Sequence, residues 1–329
     1  MWLVLSLIAI LFWSGTDLFC KLSSKPEDKY SHYKIVIAVG GVMGLHALYM
    51  LCTGMEFHWM DFVSYMPAII CYIVSMVLGY IGLRYIELSI STPICNSSGA
   101  VTVLLCIVLM KERMAGMQYV GMVLVFAAVL GISFLEKRQQ DEEEKSQAGK
   151  QTGEADGRQT MEQPVYTNKA LAILFSIGYC ILDGLGTYVD AWILSLLDGT
   201  HETTGNALID WFITHPVTSE EAANTAYELS FLLMAVTSFI YMVGVKKVKL
   251  HLKEEKTTVL AGICETVGQF FYIYALAAEP LLASGVISSY CIFSVLWARL
   301  IIKEKLHWQQ YLAIGVAMVG IVILGVYDA

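Results

Sequence analysis

Lys111-Glu112-Arg113-Met114-Ala115-Gly116-Met117-Gln118-Tyr119 returns 192 positions later as Lys303-Glu304-Lys305-Leu306-His307-Trp308-Gln309-Gln310-Tyr311. Each copy closes one apolar run and opens the next. Outward from it the register holds: Tyr80-Ile81 falls on Tyr272-Ile273, and Glu87 on Glu279. Matches at equivalent points of two series of apolar runs indicate a duplicated chain. The runs lie at 2–22, 34–52, 64–83, 90–110 and 116–135, and again at 170–190, 226–245, 257–277, 281–302 and 308–326. Each is close to the ~20 residues that a helix needs to cross the hydrocarbon core of a bilayer. The expected fold is therefore an all-α integral membrane protein of about ten transmembrane helices in two five-helix repeats. Because five is odd, the second repeat sits inverted relative to the first, the arrangement that many secondary transporters use to open alternately on either side.

Composition agrees with lipid as the solvent. Of 329 residues, 57% are hydrophobic and 15% charged, against roughly a quarter charged in soluble domains. The net charge of −8 is concentrated in polar segments outside the apolar runs. No basic stripe points to nucleic acid. The eight cysteines lie in or at the ends of apolar runs without CxxC spacing, and the seven histidines form no HxxxH or HExxH pattern. They read as packing residues, with no metal or other cofactor expected. Met1–Leu22 has no positive n-region and is read as the first membrane helix, not a signal peptide.

The first repeat is assigned to 1–135 and the second to 169–329. Between them, 136–168 carries 13 charged residues and few apolar ones, which predicts a flexible linker. A second polar insertion at 198–225 has no Lys or Arg, and within it Ala207–Ile213 has the pattern of a short amphipathic helix on the membrane surface. With the N-terminus outside, the inner segments collect 19 of the 21 Lys and Arg residues, leaving only Lys111 and Arg113 outside. The positive-inside rule then puts both termini outside and the 136–168 linker in the cytoplasm of a multi-pass plasma-membrane protein.

Ionisable residues inside apolar runs are costly, about 2.5–3.5 kcal/mol for a central charge on insertion scales, so each needs a reason. Asp17, Asp183 and Glu265 are the clearest cases. Glu265 lies nine residues from Lys256, ~14 Å along its helix, with Gln269 and Tyr272 on the same face at i+4 and i+7. Two readings stand: a stripe for substrate binding or ion coupling, and a hydrogen-bond network that joins helices. Asp17 follows Trp13-Ser14-Gly15-Thr16, an aromatic wall with a small residue and two hydroxyls that suits a site; Lys21 one turn on gives the plainer reading of an ion pair. Asp183 and Asp190 sit among Gly184, Gly186, Thr187 and Tyr188; Asp190 either belongs to the site or faces the outer water. In the fourth helices, Asn96-Ser97-Ser98-Gly99 corresponds at the repeat offset to Ser288-Ser289-Tyr290-Cys291. That pairing marks Asn96, Ser97, Ser288 and Tyr290 for recognition of a polar solute, or for close packing. Gly40 and Gly44 form a GxxxG spacing read as a helix contact.

Several of these stretches resemble the drug/metabolite transporter superfamily, in its EamA-type branch with two five-helix repeats. The likeness is carried by Leu83-Arg84-Tyr85-Ile86-Glu87-Leu88-Ser89-Ile90-Ser91-Thr92-Pro93, Leu109-Met110-Lys111-Glu112-Arg113 and Gln118-Tyr119-Val120-Gly121. It recurs in Tyr274-Ala275-Leu276-Ala277-Ala278-Glu279-Pro280-Leu281-Leu282-Ala283-Ser284, Lys303-Glu304-Lys305 and Gln309-Gln310-Tyr311-Leu312-Ala313-Ile314-Gly315. The resemblance implies a carrier of small metabolites with a central cavity lined by the first, third and fourth helices of each half. In the family a Gly usually precedes the Glu that ends the fourth helix; here Lys111 and Lys303 stand there. No GxxxxGK[ST] loop is present to bind ATP, so the expected function is secondary transport of a small polar solute, with a proton or other cation as a coupling partner. A membrane enzyme and a non-transporting receptor or channel are the alternatives. The sequence leaves substrate, direction and oligomeric state open.

Overall fold

A computed structural model describes residues 1–23, 30–82, 94–151, 169–248, 255–303 and 306–327. Every regular element among them is helical. In chain order they are α1 Trp2–Ser23, α2 Ser31–Cys52, α3 Trp59–Gly82, α4 Ser98–Leu105, α5 Gly116–Gln151, α6 Lys169–Ser195 and α7 Ala207–Thr214. Then follow α8 Glu220–Phe239, α9 Lys256–Ala278, α10 Pro280–Ile287, α11 Tyr290–Trp297 and α12 Trp308–Val326. Among the described residues nine helical segments are long and apolar enough to cross a membrane, and Ser98–Met110 is a shorter apolar one. The residues before it, 83–93, which carry the first resemblance motif with Arg84 and Glu87, lie outside the described residues.

Local chemistry accounts for the ends. Ser219 caps α8 by accepting the Ala222 N–H at 3.1 Å, and Asn206 caps α7 by accepting from Leu208 N–H at 3.0 Å. Pro280, which has no N–H to donate, opens α10. Helices α4, α8 and α11 each run on into a π-helical turn: Cys106–Met110, Ile240–Val245 and Ala298–Ile302. Two of these turns stop at a left-handed lysine, Lys111 at φ 58° and Lys303 at φ 64°. The segment α4, its π turn and its lysine therefore repeats in α11, its π turn and its lysine at the same offset of 192, and α5 and α12 start at that offset too.

The helices pair reciprocally. α1 packs on α9 as α3 packs on α6; α4 meets α6 as α11 meets α1; α3 meets α8 as α9 meets α2; and α2 with α8, and α5 with α12, pair with each other. Gly40 and Gly44 set the α2–α8 approach, since a side chain there would run into the Phe231 carbonyl and Leu232. Large apolar side chains point away from the bundle, among them Leu104 at 60%, Val123 at 65% and Leu233 at 60% exposed. Such a surface is stable against lipid and not against water.

One polar segment differs from expectation and the other agrees with it. α5 does not stop near 135 but continues to Gln151, so the first part of the 136–168 segment is helical. Gln, Glu and Lys are strong helix formers, and Arg138 pairs with Glu142 one turn on, N···O 3.2 Å. The remainder, 152–168, lies outside the described residues. The insertion after α6 contains the expected short helix as α7. Asp61, at the start of α3, ties its far end down by accepting from Thr218 N–H at 2.8 Å and Thr218 Oγ1 at 2.7 Å, and Ser64 donates to the His215 carbonyl at 2.7 Å.

Candidate functional site

Between the two sets of helices lies a cavity of about 240 Å³ whose wall includes residues of α1, α3, α4, α6, α8, α9, α10 and α11. Three carboxylates reach it from three helices: Asp17 on α1, Asp183 on α6 and Glu265 on α9. Asp17 accepts a hydrogen bond from Ser294 Oγ at 2.6 Å, and Ser98 of α4 interacts in the same way with Asp183. α11 is further fixed to α1 by Trp297 Nε1–H donating to Ser14 Oγ at 3.0 Å. No Lys, Arg or His is among the described residues of the wall.

Aromatic rings form the rest of one side. Trp13 lies 4.9 Å from Tyr272 and 6.0 Å from Tyr290, centroid to centroid. The indole can reach this position because Gly268 presents no side chain; a Cβ there would come within 2.4 Å of the Trp13 ring. Tyr72, Tyr179 and Tyr227 complete the aromatic lining. A second close approach joins the fourth helix of one half to the break between α10 and α11, where a Cβ on Gly99 would lie 2.4 Å from that of Ser288.

Of the residues singled out in the sequence, the structure brings Trp13, Asp17, Asp183, Glu265, Gln269, Tyr272, Ser288 and Tyr290 together around this cavity. It does not bring Asn96 or Ser97 there. Asn96 Nδ2 donates to Ser133 Oγ at 3.0 Å, joining the start of α4 to α5, and Ser97 lines a separate, mostly apolar crevice with Leu130, Phe134 and Ile177. The next turn supplies the wall instead, through Ser98, Gly99 and Thr102. The helix rotates ~100° per residue, so an offset alignment of residue types finds the depth of a site and not its face. The side chain of Lys21, read as a partner for Asp17, lies outside the described residues.

Asp190 neither lines the cavity nor faces water. It is fully buried, accepting from Tyr65 Oη at 2.5 Å and facing Tyr72 Oη at 3.4 Å. Tyr72 Oη also stands 2.9 Å from Tyr272 Oη and 3.2 Å from Thr187 Oγ1. These groups make a hydrogen-bonded layer centred on Asp190, about two turns beyond Asp183 along α6. Sequence reasoning named Tyr272 but missed Tyr65 and Tyr72, because the type is ordinary in apolar helices and carries no charge to flag it. It also missed a second buried carboxylate, Glu228, which receives His46 Nδ1 at 2.8 Å and Asn224 Nδ2 at 3.0 Å between α2 and α8. An intramembrane His in one half and Glu in the other were the available signal.

The comparisons with known proteins agree with this architecture. The model of the EamA-like transporter family matches residues 1–134 and 217–326. A solved protein crystal structure superposes on 99% of this chain and 96% of its own, with a TM-score of 0.63 at 14% identity, a likeness of fold alone. No curated protein matches the sequence.

Proposed function

This chain belongs to the EamA-like transporter family, and from that premise we propose that it is a secondary carrier moving a small organic cation by alternating access through the central cavity. The observation that carries the reading is the charge of the wall: Asp17, Asp183 and Glu265 with no basic residue among its described members. Two like charges within about 8 Å repel by about 2 kcal/mol even at an effective dielectric near 20, so the carboxylates favour a cationic guest or bound protons. An ammonium can be met by a carboxylate and by the faces of Trp13, Tyr272 and Tyr290, where a desolvated cation gains about 2 kcal/mol. Protons and amine then compete for the same groups, which gives exchange of one for the other without ATP.

The reciprocal pairing of helices supports two related halves about a pseudo-twofold axis, since the most extensive unlike contacts come in mated pairs, as in an isologous interface. Rocking of one half against the other would expose the cavity to each side in turn. The test is uptake by purified protein in liposomes, with 1-aminobutane and butanoate as opposite-charge probes of one size. Saturable uptake of the amine, driven by an opposing proton gradient, is expected. Uptake of butanoate with none of the amine overturns the proposal.

A further inference from the structure

Gln269 is 2% exposed and belongs to the cavity wall, yet its Nε2 has no hydrogen-bond partner among the described residues. Trp13 Nε1 is a second buried donor in the same condition. Both line the same cavity, and the Trp13 indole lies against Gly268, the residue before Gln269 on α9, where a Cβ would fall 2.8 Å from Nε1. Buried donors without acceptors destabilise a fold, and each one calls for an explanation. Here both belong to a wall that also carries carboxylates. Glu265 precedes Gln269 by four residues on α9, which places the carboxylate and the amide on one face about 6 Å apart along the axis.

We propose that this face reads two features of one solute: Glu265 takes its ammonium group, and the donors Gln269 and Trp13 take an uncharged acceptor oxygen. The substrate class is an amine that also bears an amide, carbonyl or hydroxyl oxygen within one helical turn of its nitrogen, and that lacks a carboxylate. This rests on the cation reading and narrows it. A solute carboxylate would satisfy the two donors, but it would also meet Asp17, Asp183 and Glu265 in a wall without a described basic residue. A plain alkylamine would satisfy the acids and leave both donors unmet. The volume, about 240 Å³, equals about eight waters and suits a solute of this size.

Binding to the purified full chain in detergent tests it, with four probes: 1-aminobutane, 4-aminobutanamide, 4-aminobutanoate and 1,4-diaminobutane. The parent is expected to bind 4-aminobutanamide about tenfold more tightly than 1-aminobutane, the gain of one satisfied donor, and 4-aminobutanoate more weakly than either. In Gln269→Leu, which leaves Trp13 as the remaining donor, the amide-to-amine ratio is expected to fall severalfold towards one, whatever the absolute affinities. In Gln269→Glu, which exchanges a donor for an acceptor, 1,4-diaminobutane is expected to overtake the amide. If Gln269→Leu does not fold, the parent's ratio and Gln269→Glu decide. A ratio near one in the parent, or a tenfold ratio that survives both substitutions, overturns the inference while leaving the cation reading standing. Binding of 4-aminobutanoate with none of the amines overturns the cation reading itself.

Discussion

Glu265 offers a clean separation of binding from assembly, because glutamine keeps its size and hydrogen-bonding capacity while removing the charge. It is partly accessible from the cavity, so Glu265→Gln leaves no newly buried orphan of the kind that unfolds a protein. The expected outcome is a tenfold or greater loss of amine affinity with a melting temperature close to that of the parent, read by thermal stabilisation with and without 1-aminobutane. An unfolded variant would locate the residue in helix assembly instead. Tyr65 behaves in the opposite way. It is fully buried and donates to the fully buried Asp190, so Tyr65→Phe takes a donor from a carboxylate that water does not reach. A loss of about 1–3 kcal/mol of stability is expected, with the order of preference among amines unchanged, since Tyr65 is not part of the wall. The three cavity acids were legible in the sequence because charge inside an apolar run is expensive. Asp190 was legible as an anomaly but not as a buried one: its partners come from α3, more than a hundred residues away.

At the scale of elements, the apolar runs gave the helices and the recurring Lys-Glu pair gave their register, but not the reason for the lysines. Lys111 and Lys303 end π-helical turns in the left-handed region, the position at which glycine is free of the Cβ clash and at which helices commonly stop. That explains the glycine usual in the family at this point. Lys303→Gly is accordingly expected to raise stability by ~0.5–1 kcal/mol, measured by thermal melting; a clear loss would show that the lysine side chain outweighs its backbone strain. Glu112, next to Lys111, reaches the other half and accepts the Leu281 N–H at the start of α10. Burial, and then the Glu279 carboxylate, push its pKa above the usual carboxylate value of 4.5, against the Leu281 hydrogen bond. A raised folded-state pKa means that protonation favours the fold. The contribution is full below about pH 4.5 and is lost as pH rises through the raised value. Glu112→Gln, which keeps an acceptor for Leu281, should remove this decline, giving a melting temperature at pH 7 above the parent's and a flatter profile from pH 5 to 7. A steeper profile would contradict it.

For the molecule as a whole, orientation turns on charge, and the fold places the relevant segments on identifiable helix ends. The polar end of α5 and the start of α6 flank 152–168, while the insertion with α7 follows the opposite end of α6. These two segments therefore lie on opposite sides of any bilayer that α6 crosses. The ten-span assignment from the sequence allots 19 of the 21 Lys and Arg residues to the first side, and 198–225 has none. Such a bias predicts that the first side is cytoplasmic, because basic loops resist translocation. The ties from Asp61 and Ser64 to Thr218 and His215 hold the insertion against α3 on its own side, so this side carries a folded cap without Lys or Arg and the other the charged, polar tail of α5. In a cysteine-free background, a cysteine at exposed Thr203 of the insertion should be labelled by a membrane-impermeant maleimide in intact cells. A cysteine placed within 152–168 should be labelled only after the membrane is opened. Labelling of the linker from outside would reverse the orientation. The reciprocal helix pairing would be untouched by that result, since it rests on contacts between helices and not on the charges of the loops. Fold and direction are thus read from different parts of the sequence: the apolar faces for how the helices meet, and the lysines of the loops for which way the assembly is expected to point.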